Sequence, residues 1–216
     1  MISKQQLNKI AETVGVAESK TKGEIVVVLA KQSDDYHYIP ALWAALFSLA
    51  LPLVVILLGV FNPDSGSYAN DGLSLEYVYI GQLLVFILAF LALRWRPIKL
   101  ALIPKYIKHR RAGRLAALQF VTQGVHVTTD HTGVLLFISL AEHYVEVVAD
   151  SGIHKKLDGE IWQNIVDDLI TNVKQGQMSE GIISAIEQIG ILLATHFPDD
   201  GKVNEDELAN HLIILD

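Results

Sequence analysis

Glu24, Asp130, Thr132 and Asp150 are the residues best typed for chemistry, because each flanks a short apolar run with the character of a strand. Glu24 opens 24–30 (EIVVVLA), Asp130 and Thr132 precede 133–140 (GVLLFISL), and Asp150 follows 144–149 (YVEVVA). If the first two runs are parallel and the third returns antiparallel, Glu24, Asp130 and Asp150 meet at one edge of a sheet. Three carboxylates there, with loop carbonyls near Gly23 and Gly152, could hold a hard cation, Ca²⁺ or Mg²⁺. The competing reading is that these acids cap turns and helices, while Gly23 and Gly133 permit tight backbone. The opposite edge offers Asp34, Asp35, Glu142 and His143 at the carboxyl ends of parallel strands, where ligands favour binding. A headgroup or partner contact explains that edge equally well.

Other chemistries lack their residues. There is no cysteine, which excludes disulfides, thiolate catalysis, cysteine zinc sites and iron–sulfur clusters. The eight histidines do not group, and His126, His131 and His143 read as isolated surface or capping residues. No G-x-S-x-G elbow and no phosphate-binding G-x-x-x-x-G-K loop occurs. The net charge of −7, from 17 basic and 24 acidic residues, argues against a nucleic-acid binder.

The elements that must position these residues follow from periodicity. Residues 3–17 repeat Leu7, Ile10, Val14 and Ala17 at helical spacing, with Ser3 and Gln6 as a capping box. The runs 24–30 and 133–140 are apolar throughout, as strands covered on both faces are. The helix predicted over 105–121, basic first and apolar later (Leu115, Ala116, Leu118, Phe120), supplies the crossover that makes them parallel. Residues 144–149 pair back as a hairpin, and amphipathic helices follow over 158–173 and 179–195, with Gly176 as a stop between them. Residues 97–104 read as an interfacial connector. The acidic tail 199–216 is expected to form a short helix through Leu212, capped by Asn204 and Glu207.

Hydrophobic types reach 51%, too many for one soluble fold, and the excess is concentrated. Residues 39–61 carry no charge and would run about 34 Å as a helix, enough for a ~30 Å hydrocarbon core. Residues 75–93 reach about 28 Å, with Glu76 at the interface. The intervening stretch 62–77 holds Asp64, Asp71 and Glu76 and no base. The following stretch holds Arg94, Arg96, Lys99, Lys105, Lys108, Arg110, Arg111 and Arg114 and no acid. That asymmetry predicts a two-helix transmembrane hairpin with both termini and the soluble parts inside, and anionic headgroups as partners of the basic run. The spans carry no ionisable residue at depth and look like an anchor, not a transport path. The expected division is 1–38, first part of the soluble domain; 39–95, hairpin; 96–198, second part; and 199–216, tail. The fold class is α/β: a small three-layer sandwich with a mixed sheet, interrupted by the hairpin.

The order of 132–141 (TGVLLFISLA) and 145–153 (VEVVADSGI), with Lys22 to Val26 before the spans, Trp162, and His196 to Pro198 at the end, resembles the TPM domain. The likeness is to its bacterial membrane-protein branch. The resemblance implies a compact α/β domain, calcium binding in some members, proposed phosphatase activity in others, and roles in repair or modulation of membrane complexes. It brings no catalytic motif. Two functions are expected from this: a non-catalytic module at the bacterial inner membrane, partnered by lipids and a membrane complex, or a metal-dependent phosphomonoesterase.

Overall fold

The computed structural model describes residues 2–59, 75–128, 130–157, 159–199 and 208–215. The acids at 64 and 71, the tail caps at 204 and 207, and the helix start expected at 158 lie outside them. The chain divides into two compact units, Met1–Asp34 with Tyr106–Asp216, and Asp35–Lys105.

The first unit is built on a four-stranded sheet in which β3 (Tyr144–Ala149), β2 (Gly133–Ser139), β1 (Glu24–Ala30) and β4 (Ile213–Leu215) lie side by side in that order. β1 and β2 are parallel, with Glu24 opposite Gly133 and Ala30 opposite Ser139. β3 is antiparallel to β2, placing Ala149 beside Val134. The sheet is therefore mixed. Every residue of β1 and β2 is buried. Alternation sends their side chains to opposite faces. Ile25, Val27 and Leu29 join Val134, Leu136 and Ile138 in a core with α1 (Lys4–Glu18), α7 (Gly159–Lys174) and α8 (Met178–His196). Val26, Val28, Leu135 and Phe137 pack on the other side against Ala112, Ala116 and Val125. The small residues come from α5 (Lys105–Thr122), and Val125 from a 3-10 turn, Val125–Val127.

Local chemistry explains the element ends. Ser3 caps α1, its hydroxyl accepting from the Gln6 N–H while Gln6 accepts from the Ser3 N–H. Gly176, between α7 and α8, has φ +79°, a backbone that side chains resist. α6 (Ser151–His154) is a single turn capped by Asp150, which is too short for periodicity to reveal.

The tail departs from expectation. Leu208–Leu212 are not helical, and Ile213–Leu215 form β4, parallel to β1. The apolar triplet completes the open edge of β1, where backbone hydrogen bonds outweigh a weak helical pattern.

In the second unit α2 (Tyr38–Gly59) and α3 (Leu75–Leu93) run side by side. Ser48 donates its hydroxyl hydrogen to the Gln82 carbonyl at 2.9 Å. A Cβ added at Gly81 would meet Leu51 at 3.4 Å, so the helices approach closely there. The expected connector contains a further helix, α4 (Arg96–Ala101), started by Pro97, whose fixed φ suits a first turn. Among the described residues one helix is long and apolar enough to cross a membrane, and it is α8. α8 packs against α1 and α7 as a core helix. α2 and α3 contribute the shorter apolar stretches Tyr38–Val54 and Tyr79–Leu93.

The α1–α8 contact is set by Gly190, where an added Cβ would stand 2.7 Å from the Ala17 Cβ. Gly190→Val should push these helices apart and cost about 1–3 kcal/mol. A lowered urea midpoint of the full chain in detergent is the expected reading; an unchanged midpoint would contradict the packing.

Candidate functional site

The parallel register brings the amino ends of β1 and β2 and the carboxyl end of β3 to one edge. Glu24 is buried at the start of β1 at 3% exposure. Beside it Glu18, the last residue of α1, accepts the Ile25 N–H at 2.8 Å. Thr132 donates its hydroxyl to the Lys22 carbonyl at 2.9 Å, and its N–H reaches the Thr128 hydroxyl at 3.1 Å. The end of α8 closes this edge: the Phe197 carbonyl accepts the Lys22 N–H at 3.0 Å and the Thr21 hydroxyl at 2.6 Å.

The three expected carboxylates arrive here with different partners. Asp130 lies 3.6 Å from the Lys22 ammonium. Asp150 accepts the Ser151 N–H and stands 3.1 Å from His131 Nδ1. Among the described residues no three of His, Asp and Glu gather in a way that could hold a metal ion.

His131, expected to be isolated, is instead paired with Asp150. Its φ is +53°, costly for a side chain other than glycine. The Gly152 N–H holds its carbonyl at 3.2 Å, and a Cβ on Gly152 would come within 2.5 Å of that oxygen. Asp150, at 10% side-chain exposure, orients an imidazole whose own side chain is 61% exposed. A carboxylate on Nδ1 leaves Nε2 for ligand or proton exchange. The signal was tertiary: nineteen positions separate the partners, and neither spacing nor composition joins them.

The carboxyl edge carries a buried polar network. Glu142, at 3% exposure, accepts the Ser33 N–H at 3.1 Å with each oxygen. It also accepts the Ser139 hydroxyl, and the Ser33 and Ser139 oxygens are 2.7 Å apart. Asp34 meets Arg111 Nε at 3.1 Å. The contacts tie the exit of β1 to the β2–β3 turn and to α5. His143 takes φ +53° in that turn. In the second unit Asp35 pairs with His37 at 3.2 Å, and its carbonyl accepts the Lys99 ammonium at 2.6 Å. Of the basic run, Arg94, Lys105, Arg110 and Arg114 are exposed.

On the α5 side of β3, Tyr144 donates its hydroxyl to Glu146 at 3.0 Å, and the His109 ring lies 5.3 Å from the tyrosine ring. Burial pushes the Glu146 carboxyl above its ordinary value, while the Tyr144 hydrogen bond pulls it down. Burial first, then the neighbouring Glu146 charge, raises the Tyr144 phenol. A raised folded value means that the stability Glu146 contributes is present below its unfolded value and is lost as pH rises through the folded one. Glu146→Gln, which still accepts from Tyr144, should therefore stabilise the chain near pH ~7 and make little difference near pH ~4. Thermal unfolding across that range checks this; a pH-independent gain would contradict it.

Comparison with known proteins agrees with this architecture. Residues 101–191 match the TPM domain family. The solution structure of BA42, from the psychrophilic bacterium Bizionia argentinensis, is similar with a TM-score of 0.59 at 18% identity, covering 99% of this chain and 95% of that one. At that identity the likeness concerns the fold. No curated protein matches. The stretch that matches the TPM domain runs from the end of α4 through β2 and β3 into α8.

Proposed function

We propose that this protein is a membrane-anchored module, with α2 and α3 as a transmembrane hairpin and the TPM domain at the inner face of a bacterial cytoplasmic membrane. There it assists the assembly, repair or regulation of a membrane complex without catalysing a reaction. The observation that carries this reading is the surface of the paired helices. Leu42, Leu49, Leu53 and Leu57 on α2 and Leu83, Leu88 and Leu91 on α3 are all exposed. Soluble monomers rarely leave apolar patches beyond a few hundred Å² open to water, whereas hydrocarbon solvates such a surface without cost. The basic flank after α3 and the acidic stretch before it support the inward orientation. Reporter fusions at residues 1, 66 and 216 should place the ends inside and residue 66 outside. Mild-detergent pull-down should recover a membrane complex; termini on opposite sides, or no partner above background, would count against the reading.

A second reading, hydrolysis of phosphate monoesters, is supported by the Asp150-oriented His131 at the amino edge. The full chain in detergent would then turn over a generic phosphate ester with Mg²⁺ or Ca²⁺, and His131→Gln would lower the rate by about 10²-fold or more. No turnover, or a rate indifferent to His131→Gln, would remove this reading.

A further inference from the structure

The buried residues of α5 are Ala112, Ala116 and Gln119, with Leu115 and Phe120 partly buried against the same core. At about 100° per residue, the side chains opposite them are Arg110, Arg114, Leu118 and Val121. All four are exposed, Leu118 at 58% and Val121 at 56%. The apolar second half of α5 therefore does not simply face inward: Gln119 is turned into the core and Leu118 away from it. Just beyond, Val127 is 68% exposed in the 3-10 turn. The same helix has five lysines and arginines and not one aspartate or glutamate. Arg111 is engaged by Asp34, which leaves Arg110 and Arg114 on the outer face.

We propose that this outer face lies on an anionic lipid surface, with Arg110 and Arg114 at phosphate level and Leu118 and Val121 in the acyl boundary. The inference rests on the membrane-anchor reading and adds to it a specific surface of the domain. Two features select lipid as the occupant. The face is basic without a compensating acid, in a chain whose net charge is −7, so an anionic surface attracts this side and repels most others. The combination of cationic residues and exposed apolar residues on one helix face is the pattern of helices that lie in a headgroup layer.

The absence of cysteine permits single-cysteine labelling of the full chain without a background substitution. Leu118→Cys, Val121→Cys, Leu88→Cys on α3 and Glu160→Cys on α7 would each carry an environment-sensitive fluorophore. The chains would be reconstituted in vesicles of phosphatidylcholine with or without phosphatidylglycerol and containing a spin-labelled quencher lipid. Quenching at 118 and 121 in the anionic vesicles, with residue 160 unquenched, is the expected result. Arg110→Ser with Arg114→Ser should shift the contact equilibrium away from lipid by about thirtyfold, since each base near an anionic surface is worth roughly a fivefold factor. Residue 88 separates the two readings. If it is quenched while 118 and 121 stay in water, the anchor stands and the α5 proposal is overturned. If 88 is unquenched as well, the anchor itself fails. Equal quenching at 118 in both vesicle types would overturn the assignment of an anionic surface.

Discussion

β1 cannot be satisfied by its own neighbourhood in the chain. All seven of its residues are buried, so each backbone group must find a partner, most of them in the sheet and one, the Ile25 N–H, in the Glu18 carboxylate. The sheet partners come from far away: β2, more than a hundred residues on, along one side, and β4, from the other end of the chain, along the other. Everything else depends on that ladder. It draws α1 onto the sheet, where Ile10 and Val14 enter the same core as Val27 and Leu136. It also sets the two edges at which polar side chains collect, because β1 and β2 share a direction and a register.

The edges serve different purposes. At the amino edge the acids are spread over a lysine, an N-cap and an imidazole, with a strained histidine backbone tied down by Gly152. At the carboxyl edge Glu142 collects the Ser33 N–H and the Ser139 hydroxyl in a buried network. Such a network restrains the strand exit, because leaving either donor unmet in a buried place costs about 1–3 kcal/mol. The first edge has an exposed imidazole oriented by a buried carboxylate; the second has groups turned inward, which restrain the strand exit.

The strands were legible because apolar runs without alternation are what doubly covered strands require, and 24–30 and 133–139 are such runs. The helices α1, α7 and α8 were legible from their stripes. What escaped has a common physical character. β4 is three residues long, and its state is decided by the vacant edge of β1, not by its own pattern. α6 exists because Asp150 caps it. The His131–Asp150 pair is created by a turn and a hairpin meeting in space. On α5, composition gives the number of apolar residues but not the direction each one faces, so Leu118 and Gln119 exchange the roles that their polarity suggests.

The insertion is tolerated because its two ends are held together. A disordered loop of n residues closes at a cost that grows as the logarithm of n, about 0.6 kcal/mol for each doubling. The chain from Ala30 to Gly133 is long by that measure, yet most of its described residues are helical. Asp34, where the first unit is left, is bonded to Arg111, just after the chain returns. Within the inserted unit, α2 and α3 lie side by side through Ser48 and Gln82. A pair of packed helices shortens the effective loop, so that β1 and β2 meet as if the intervening segment were far smaller. The Asp34–Arg111 pair is half-exposed and contributes little by itself. What it marks is geometry: the exit and the re-entry stand within one ion pair of each other, and an insertion built as a helical hairpin leaves the sheet register undisturbed.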